Sequence, residues 1–212
     1  MPNYKYIIWD MDGTTAYTDD MIIHTFWDLY DLYNPSNKKS VEELLYFSGP
    51  PLKVTLPIEF PNQDFKFIHS EFLRISGPYY DKYVVAFEHE VEVLTELYNA
   101  GYRFAIVTNK GTGKAHYVLK LLGIEHLFDF VIGSDDVKET KPNPEGINEA
   151  IRRFNASKEE CLYVGDNDID YETATNAGVD CMICNWGPRK LNVLDKTKYV
   201  VGSYLDIREV LL

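Results

Sequence analysis

Short runs of β-branched and aromatic residues recur along the chain at 6–9, 104–108, 130–133, 161–165 and 181–185, with a weaker sixth at 199–201. Turn residues follow each run, and after most of them apolar positions fall at helical spacing. These helical stretches cover 88–100, 113–122, 144–154 and about 169–177. Gly101, Gly123 and Gly178 stand just past three of them, where glycine enters the left-handed conformation cheaply and stops a helix. Apolar strands alternating with helices predict a parallel sheet covered on both faces. The fold class expected is therefore α/β, a doubly wound, Rossmann-like sheet.

The stretch from Ala16 to Val84 breaks that rhythm. Ile22, Phe26, Leu29, Tyr30 and Tyr33 share one helical face, and Phe65, Ile68, Phe72 and Ile75 mark another helix. Ser40-Val41-Glu42-Glu43 has the pattern of a capping box opening a helix between them. Prolines 50, 51, 57 and 61 interrupt the middle. Two domains are expected: a core of residues 1–15 and 85–212, and an inserted α-helical cap of residues 16–84. The cap aromatics Phe26, Trp27, Tyr30, Tyr46 and Phe47 read as cap core rather than as a stacking platform.

Composition narrows the partners. Of 212 residues, 45% are hydrophobic, enough for a real core. The net charge of −12 excludes a nucleic-acid surface and an anionic-membrane surface, both of which need clustered cations. The same charge would repel an anionic substrate unless a divalent cation and local donors reverse it inside a pocket. Three cysteines, Cys161, Cys181 and Cys184, are too few for a disulfide framework. Cys181 and Cys184, three apart on a strand, point to opposite faces and read as core. Met1 to Tyr6 shows no apolar signal region, and no run of about eighteen apolar residues occurs. A soluble, cytoplasmic protein is expected, as a monomer or homodimer.

In open parallel sheets ligands bind beyond the carboxyl ends of the strands, so the polar residues there carry the chemistry. The first strand ends in Asp10-Met11-Asp12-Gly13-Thr14, the second in Thr108-Asn109-Lys110 and the fourth in Gly165-Asp166-Asn167-Asp168-Ile169-Asp170. Lys141-Pro142-Asn143-Pro144 follows the third. Asp10 and Asp12, two apart, would share a face of an ideal strand. Carboxylates that close repel unless a cation lies between them, and Mg²⁺ suits such oxygen ligands. Taken singly, Thr108 could be a strand terminus, Lys141 a surface lysine and Asp170 a helix cap. Lys110 reads as solvated, and the histidines at 24, 69, 89, 116 and 126 show no metal-ligand spacing.

As an ordered set these residues resemble the haloacid dehalogenase-like hydrolase superfamily in its phosphatase branch. The resemblance spans the whole chain, cap placement included. Ser48-Gly49-Pro50-Pro51-Leu52 is in addition similar to a segment of phosphoglycolate phosphatases, pyrophosphatases and nucleotidases. The resemblance implies Asp10 as nucleophile, Asp12 as general acid and base, and Thr108, Asn109 and Lys141 around the transferring phosphoryl group. It also implies Mg²⁺ held by Asp10, the Asp12 backbone carbonyl and Asp166, with Thr14 and Asp170 supporting these ligands from behind. Halide-displacing members lack the second aspartate, so Asp12 favours phosphoryl transfer. One departure is Thr15-Ala16-Tyr17, with Asp19 and Asp20 displaced from where many relatives carry an acid.

The function expected is hydrolysis of a small phosphorylated metabolite, a phosphoglycolate-like ester or pyrophosphate. Lys53 could reach a second anionic group of such a substrate or stay solvated. A sugar-phosphate mutase would use the same two aspartates, and a non-enzymatic phospho-receiver would share the acidic cluster, threonine and lysine. Receivers, however, have no cap between their first two strands.

Overall fold

The computed structural model describes residues 4–212; the first three residues of the N-terminal stretch read above lie outside the described residues. Six parallel strands form one sheet: β1 (Tyr6–Trp9), β2 (Arg103–Val107), β3 (Phe128–Ile132), β4 (Cys161–Gly165), β5 (Asp180–Cys184) and β6 (Tyr199–Val201). Their order is β3-β2-β1-β4-β5-β6. The strands are apolar because both faces are covered. Ile7 and Trp9 pack into one core cluster and Ile8 into the other. Cys181 and Cys184 are free, buried and split between the same two clusters. The order reverses between β1 and β4, which opens the crevice where such sheets bind ligands. Trp9 pairs with Val164 across it.

Four helices follow β1 and build the inserted layer: α1 (Asp19–Tyr33), α2 (Val41–Leu44), α3 (Leu52–Glu59) and α4 (Phe65–Tyr83). The capping box at Ser40 and Glu43 forms, though α2 is a single turn. The sequence pattern did not predict α3, because Pro57 sits inside it and prolines 50 and 51 mask its start. Phe26 ties this layer together, its ring 4.8 Å from Phe47 and 5.6 Å from Phe72. The two chain crossings into the layer are bridged backbone to backbone, Tyr17 N donating to Val85 O at 2.9 Å and Val85 N to Tyr17 O at 3.3 Å. That bridge joins the sheet and the helical layer at one narrow neck.

The sheet is flanked by α5 (Glu90–Asn99), α6 (Thr112–Leu121), α7 (Glu145–Phe154), α8 (Asp168–Ala177) and α9 (Tyr204–Leu211). α5 begins two residues later than its pattern suggests, since His89 adopts a left-handed conformation. α9, which the pattern did not reveal, is opened by Ser203, whose hydroxyl accepts from Asp206 N. Among the described residues no helix is long and apolar enough to cross a membrane.

Candidate active site

The strand β1 ends at Trp9, so Asp10 and Asp12 lie on the following turn rather than on one strand face. The turn is tight. Gly13 has φ +83°, and a Cβ there would overlap the Asp166 carboxylate. Asp10 N donates to Val164 O at 2.8 Å, which levels Asp10 with the end of β4. There Gly165 lets the Asp170 side chain pack directly against the backbone. Asn167 caps α8 and Asp170 completes its capping box. One Asp170 oxygen accepts from the Asp166 and Asn167 backbone N–H groups, at 3.1 and 3.0 Å.

The other Asp170 oxygen faces Lys141 Nζ at 2.7 Å. Lys141 Nζ also lies 2.7 Å from Asp10 Oδ1. Asp170 is thus both a helix cap and an anchor that aims Lys141 at Asp10. The Tyr163 hydroxyl, 3.2 Å from both Lys141 Nζ and Asp170, joins this buried set. Asn109 Oδ1 accepts from Lys141 N at 3.0 Å, and Asn109 Nδ2 donates to Gly49 O at 2.8 Å. Asn167 Nδ2 reaches Ser48 O at 3.1 Å. The Ser48-Gly49 segment of the helical layer is therefore held by asparagines from two strand ends.

Lys110 departs from its reading as a solvated lysine. Its side chain is only 8% exposed, and Nζ lies 3.0 Å from Asp12 Oδ2 and 3.1 Å from the Tyr80 hydroxyl of α4. The Tyr80 ring and the Asp12 charge replace the water it gives up. Thr108, at the end of β2, accepts from Lys110 N at 3.2 Å. Thr14 Oγ1 donates to Asp166 Oδ1 at 3.2 Å.

Sequence reasoning missed Arg189. It follows the end of β5, a fifth strand end, beyond the turn Trp186-Gly187-Pro188. Its guanidinium donates to Asp166 Oδ2, to Asp19 Oδ1 at 3.1 Å and to Leu45 O at 3.1 Å. The displaced acid Asp19 is therefore engaged with Arg189. This residue spans the sheet side and the helical layer.

Five carboxylates, Asp10, Asp12, Asp19, Asp166 and Asp170, here face three cations, Lys110, Lys141 and Arg189. Five against three leaves two negative charges unbalanced in a largely buried cluster. Burial pushes the Asp10 carboxyl up to about 7, despite the pull of Lys141. Burial likewise raises Asp166 to about 8, against the pull of Arg189. Burial by itself would lower the Lys141 ammonium, but Asp10 and Asp170 outweigh it and raise it.

Asp10, Asp166 and Asp170 each offer an oxygen within 4.8 Å of the others. Asp170 has its oxygens committed to Lys141 and two N–H groups. Asp10 Oδ1, whose contact with Lys141 is off the hydrogen-bond direction, and Asp12 Oδ1 are buried without a hydrogen-bond partner. Two missing positive charges beside orphaned carboxylate oxygens fit a hard divalent cation.

Above these residues lies a cavity of about 500 Å³ between the strand ends and the helical layer. Asp10, Asp12, Thr108, Asn109 and Lys110 form its polar floor. Lys53 of α3, exposed, stands at its wall. Lys141, Asp166, Asp170 and Thr14 do not line it: they contact Asp10 and its neighbours from behind. Phe26 and Phe47, expected as core only, also face this cavity. So does His69, to which the sequence assigned no role.

The sequence model of haloacid dehalogenase-like hydrolases matches residues 7–184. The chain is 30% identical over 206 residues to pyrophosphatase PpaX of Halalkalibacterium halodurans, covering 96% of this chain and 95% of that protein. It is 33% identical over 207 residues to pyrophosphatase PpaX of Bacillus cereus strain B4264, covering 97% and 95%. A haloacid dehalogenase-like family hydrolase of known structure from Streptococcus pneumoniae superposes with a TM-score of 0.81 at 25% identity, both chains covered in full. A Haemophilus somnus protein predicted to be a phosphoglycolate phosphatase superposes with a TM-score of 0.89 at 22% identity, again in full, and shows the same fold.

Proposed function

The chain belongs to the haloacid dehalogenase-like hydrolases and acts on phosphoric-ester bonds, and from that premise we propose that it is a Mg²⁺-dependent, cytoplasmic phosphatase working through an aspartyl-phosphate on Asp10. The observation that carries this reading is the buried cluster of five carboxylates and three cations at the floor of a cavity beneath the helical layer. Asp10 and Asp166, with the Asp12 backbone carbonyl, would hold Mg²⁺, which when bound offsets the two unbalanced charges and the charge of an incoming phosphate.

In the first step an Asp10 carboxylate oxygen attacks phosphorus and the bond to the leaving oxygen breaks. Asp12 gives its proton to that oxygen. In the second step a water attacks phosphorus, Asp12 takes its proton, the Asp10–phosphorus bond breaks and phosphate leaves. Lys110, 3.0 Å from Asp12, steadies the carboxylate form of this acid and base between the two steps. Thr108 and Asn109 face the transferring oxygens from the floor of the cavity, and Lys141 balances the charge on Asp10. The helical layer excludes bulk water from the acyl-phosphate. Substrates are small phosphorylated metabolites, with phosphoesters of the phosphoglycolate kind and pyrophosphate the first compounds to assay.

The test is phosphate release from a panel of phosphate esters and pyrophosphate, with Mg²⁺ and with chelator. Metal-dependent release that vanishes in Asp10→Asn supports the proposal. An isomerised phosphosugar without free phosphate points to a mutase instead, and no turnover of any compound overturns the reading.

A further inference from the structure

The cavity is much larger and more apolar than a two-carbon phosphoester or pyrophosphate requires. Its floor is polar, but its far wall is built from one face of α4, where Phe65, His69, Phe72 and Leu73 recur at helical spacing, with Ile22 and Phe47 opposite. The Phe65 and His69 rings lie nearly parallel, 5.5 Å between centroids. Phe72 is buried in the helical layer, whereas Phe65 is 38% and Leu73 42% exposed. These two side chains present apolar surface toward the cavity that packing within the protein does not cover.

At about 500 Å³ the space equals that of roughly seventeen waters. Pyrophosphate or phosphoglycolate would fill only a part of it and leave the aromatic wall wet. Pyrophosphate has no apolar surface to offer and phosphoglycolate a single methylene. A ligand of the size and polarity that such pockets usually enclose has an apolar body with few polar groups. The ring faces at the wall and the polar floor at the strand ends fix its orientation, phosphate down and apolar body toward α4.

We infer that the preferred substrate, given the phosphatase reading on which this rests, is an organic phosphomonoester whose leaving group carries an aromatic ring. Phe65, His69 and Leu73 hold the ring as it departs with the leaving oxygen. Lys53 and Lys114, which line the same cavity, accommodate a polar or anionic substituent on the ring. Lys114 Nζ is 4.6 Å from the centre of the Tyr80 ring, so its charge is held at the wall.

The experiment compares kcat/KM for 4-nitrophenyl phosphate, pyridoxal 5′-phosphate, pyrophosphate and phosphoglycolate, in wild type, Phe65→Ala and Leu73→Ala with Mg²⁺. Both replaced side chains are partly exposed, and thermal melts check that the variants fold. The inference expects the ring-bearing esters to exceed pyrophosphate and phosphoglycolate by at least about 10-fold. It also expects each variant to lower that ratio by roughly 10-fold, the range for a lost apolar pocket contact. Preference for pyrophosphate or phosphoglycolate, with ratios unmoved by either variant, overturns the inference and leaves the phosphatase reading standing. Absence of phosphate release from all four compounds overturns the phosphatase reading. A separate measurement then judges the pocket. Pyridoxamine 5′-phosphate is titrated into Asp10→Asn and into its double variant with Leu73→Ala, followed by its own fluorescence anisotropy. Binding that weakens by about 10-fold in the double variant supports the aromatic wall, and equal or absent binding refutes it.

Discussion

The unbalanced charge around Asp10 predicts that replacing this aspartate, the proposed nucleophile, stabilises the metal-free protein. An ordinary aspartate ionises near ~3.9, and burial raises Asp10 to about 7. Holding it ionised above pH 7 therefore costs up to about 4 kcal/mol, at about 1.4 kcal/mol per tenfold change in proton affinity. Asparagine has the same shape and no charge. Asp10→Asn does forfeit the contact with Lys141, but that ammonium keeps Asp170 at 2.7 Å. A net gain of about 2 kcal/mol is expected, half of the upper bound. For a chain of this length that raises Tm by roughly 4–8 °C.

The sign of the pH dependence follows from the raised value. A carboxyl whose folded pKa lies above its unfolded one contributes no penalty below about pH 4, and the penalty grows through pH 7. Wild type and Asp10→Asn should therefore melt together near pH 4 and diverge by pH 8, both in chelator. Saturating Mg²⁺ should close the gap by stabilising wild type, by about 2.7 kcal/mol at a hundred times its Kd. If Asp10→Asn in chelator at pH 8 melts at or below wild type, the charge account is wrong. Equal stabilisation of both proteins by Mg²⁺ would also refute it.

Other consequences follow from single residues. Lys110→Met leaves Asp12 without its 3.0 Å partner; kcat should fall by roughly 10²-fold or more, the worth of general acid–base catalysis, as read by steady-state kinetics. Tyr80→Phe, which removes only the hydroxyl 3.1 Å from Lys110, should cost about 5- to 10-fold in the same assay, equivalent to about 1 kcal/mol. Arg189→Met strands Asp166 and Asp19. The variant should lose about 3 kcal/mol in urea unfolding with chelator, and Mg²⁺ should raise its Tm more than it raises that of wild type. Glu90 opens α5 fully buried, with Oε1 unpartnered and Phe87 N donating to Oε2 at 2.7 Å. Burial pushes its carboxyl up to about 8, so its favourable contribution is present below pH 4 and lost as pH rises through 8. Urea unfolding in chelator at pH 5 and pH 9 should show Glu90→Gln losing several kcal/mol less than wild type over that interval.

Much of this arrangement was legible in the sequence, for physical reasons. Buried parallel strands must be apolar throughout, so Ile7-Ile8-Trp9 and Leu162-Tyr163-Val164 announce themselves, and whatever polar residue ends them must face the crevice. That rule points to Asp10 and Asp166, and both stand just past the ends of β1 and β4. Arg189 is hidden from that rule because the end of β5 runs through Trp186-Gly187-Pro188 before the first charged residue is reached. Lys110 was misread because its burial depends on Tyr80, thirty residues away and in a different layer. Tyr163 lies inside an apolar strand run, and nothing local in the sequence shows that its hydroxyl meets Lys141 and Asp170. The cavity wall was hidden in the same way. Phe65, Ile68, Phe72 and Ile75 give a single apolar stripe, yet Ile68 and Ile75 are buried while Phe65 is left partly open. Periodicity identifies an apolar face but not whether protein or ligand covers it.

In the proposed mechanism the Asp10 carboxylate becomes phosphorylated. The most direct measurement is to mix enzyme, Mg²⁺ and a turned-over phosphoester, quench in acid within the first turnover, and map the peptides by mass spectrometry. The account predicts one added phosphoryl group on the peptide containing Asp10, lost in Asp10→Asn, and accumulating in Asp12→Asn when the leaving group is 4-nitrophenolate, which needs no proton from Asp12 to depart, while the water lacks its base. Turnover proceeding at full rate in Asp10→Asn, or a phosphoryl group found on another residue, would contradict it.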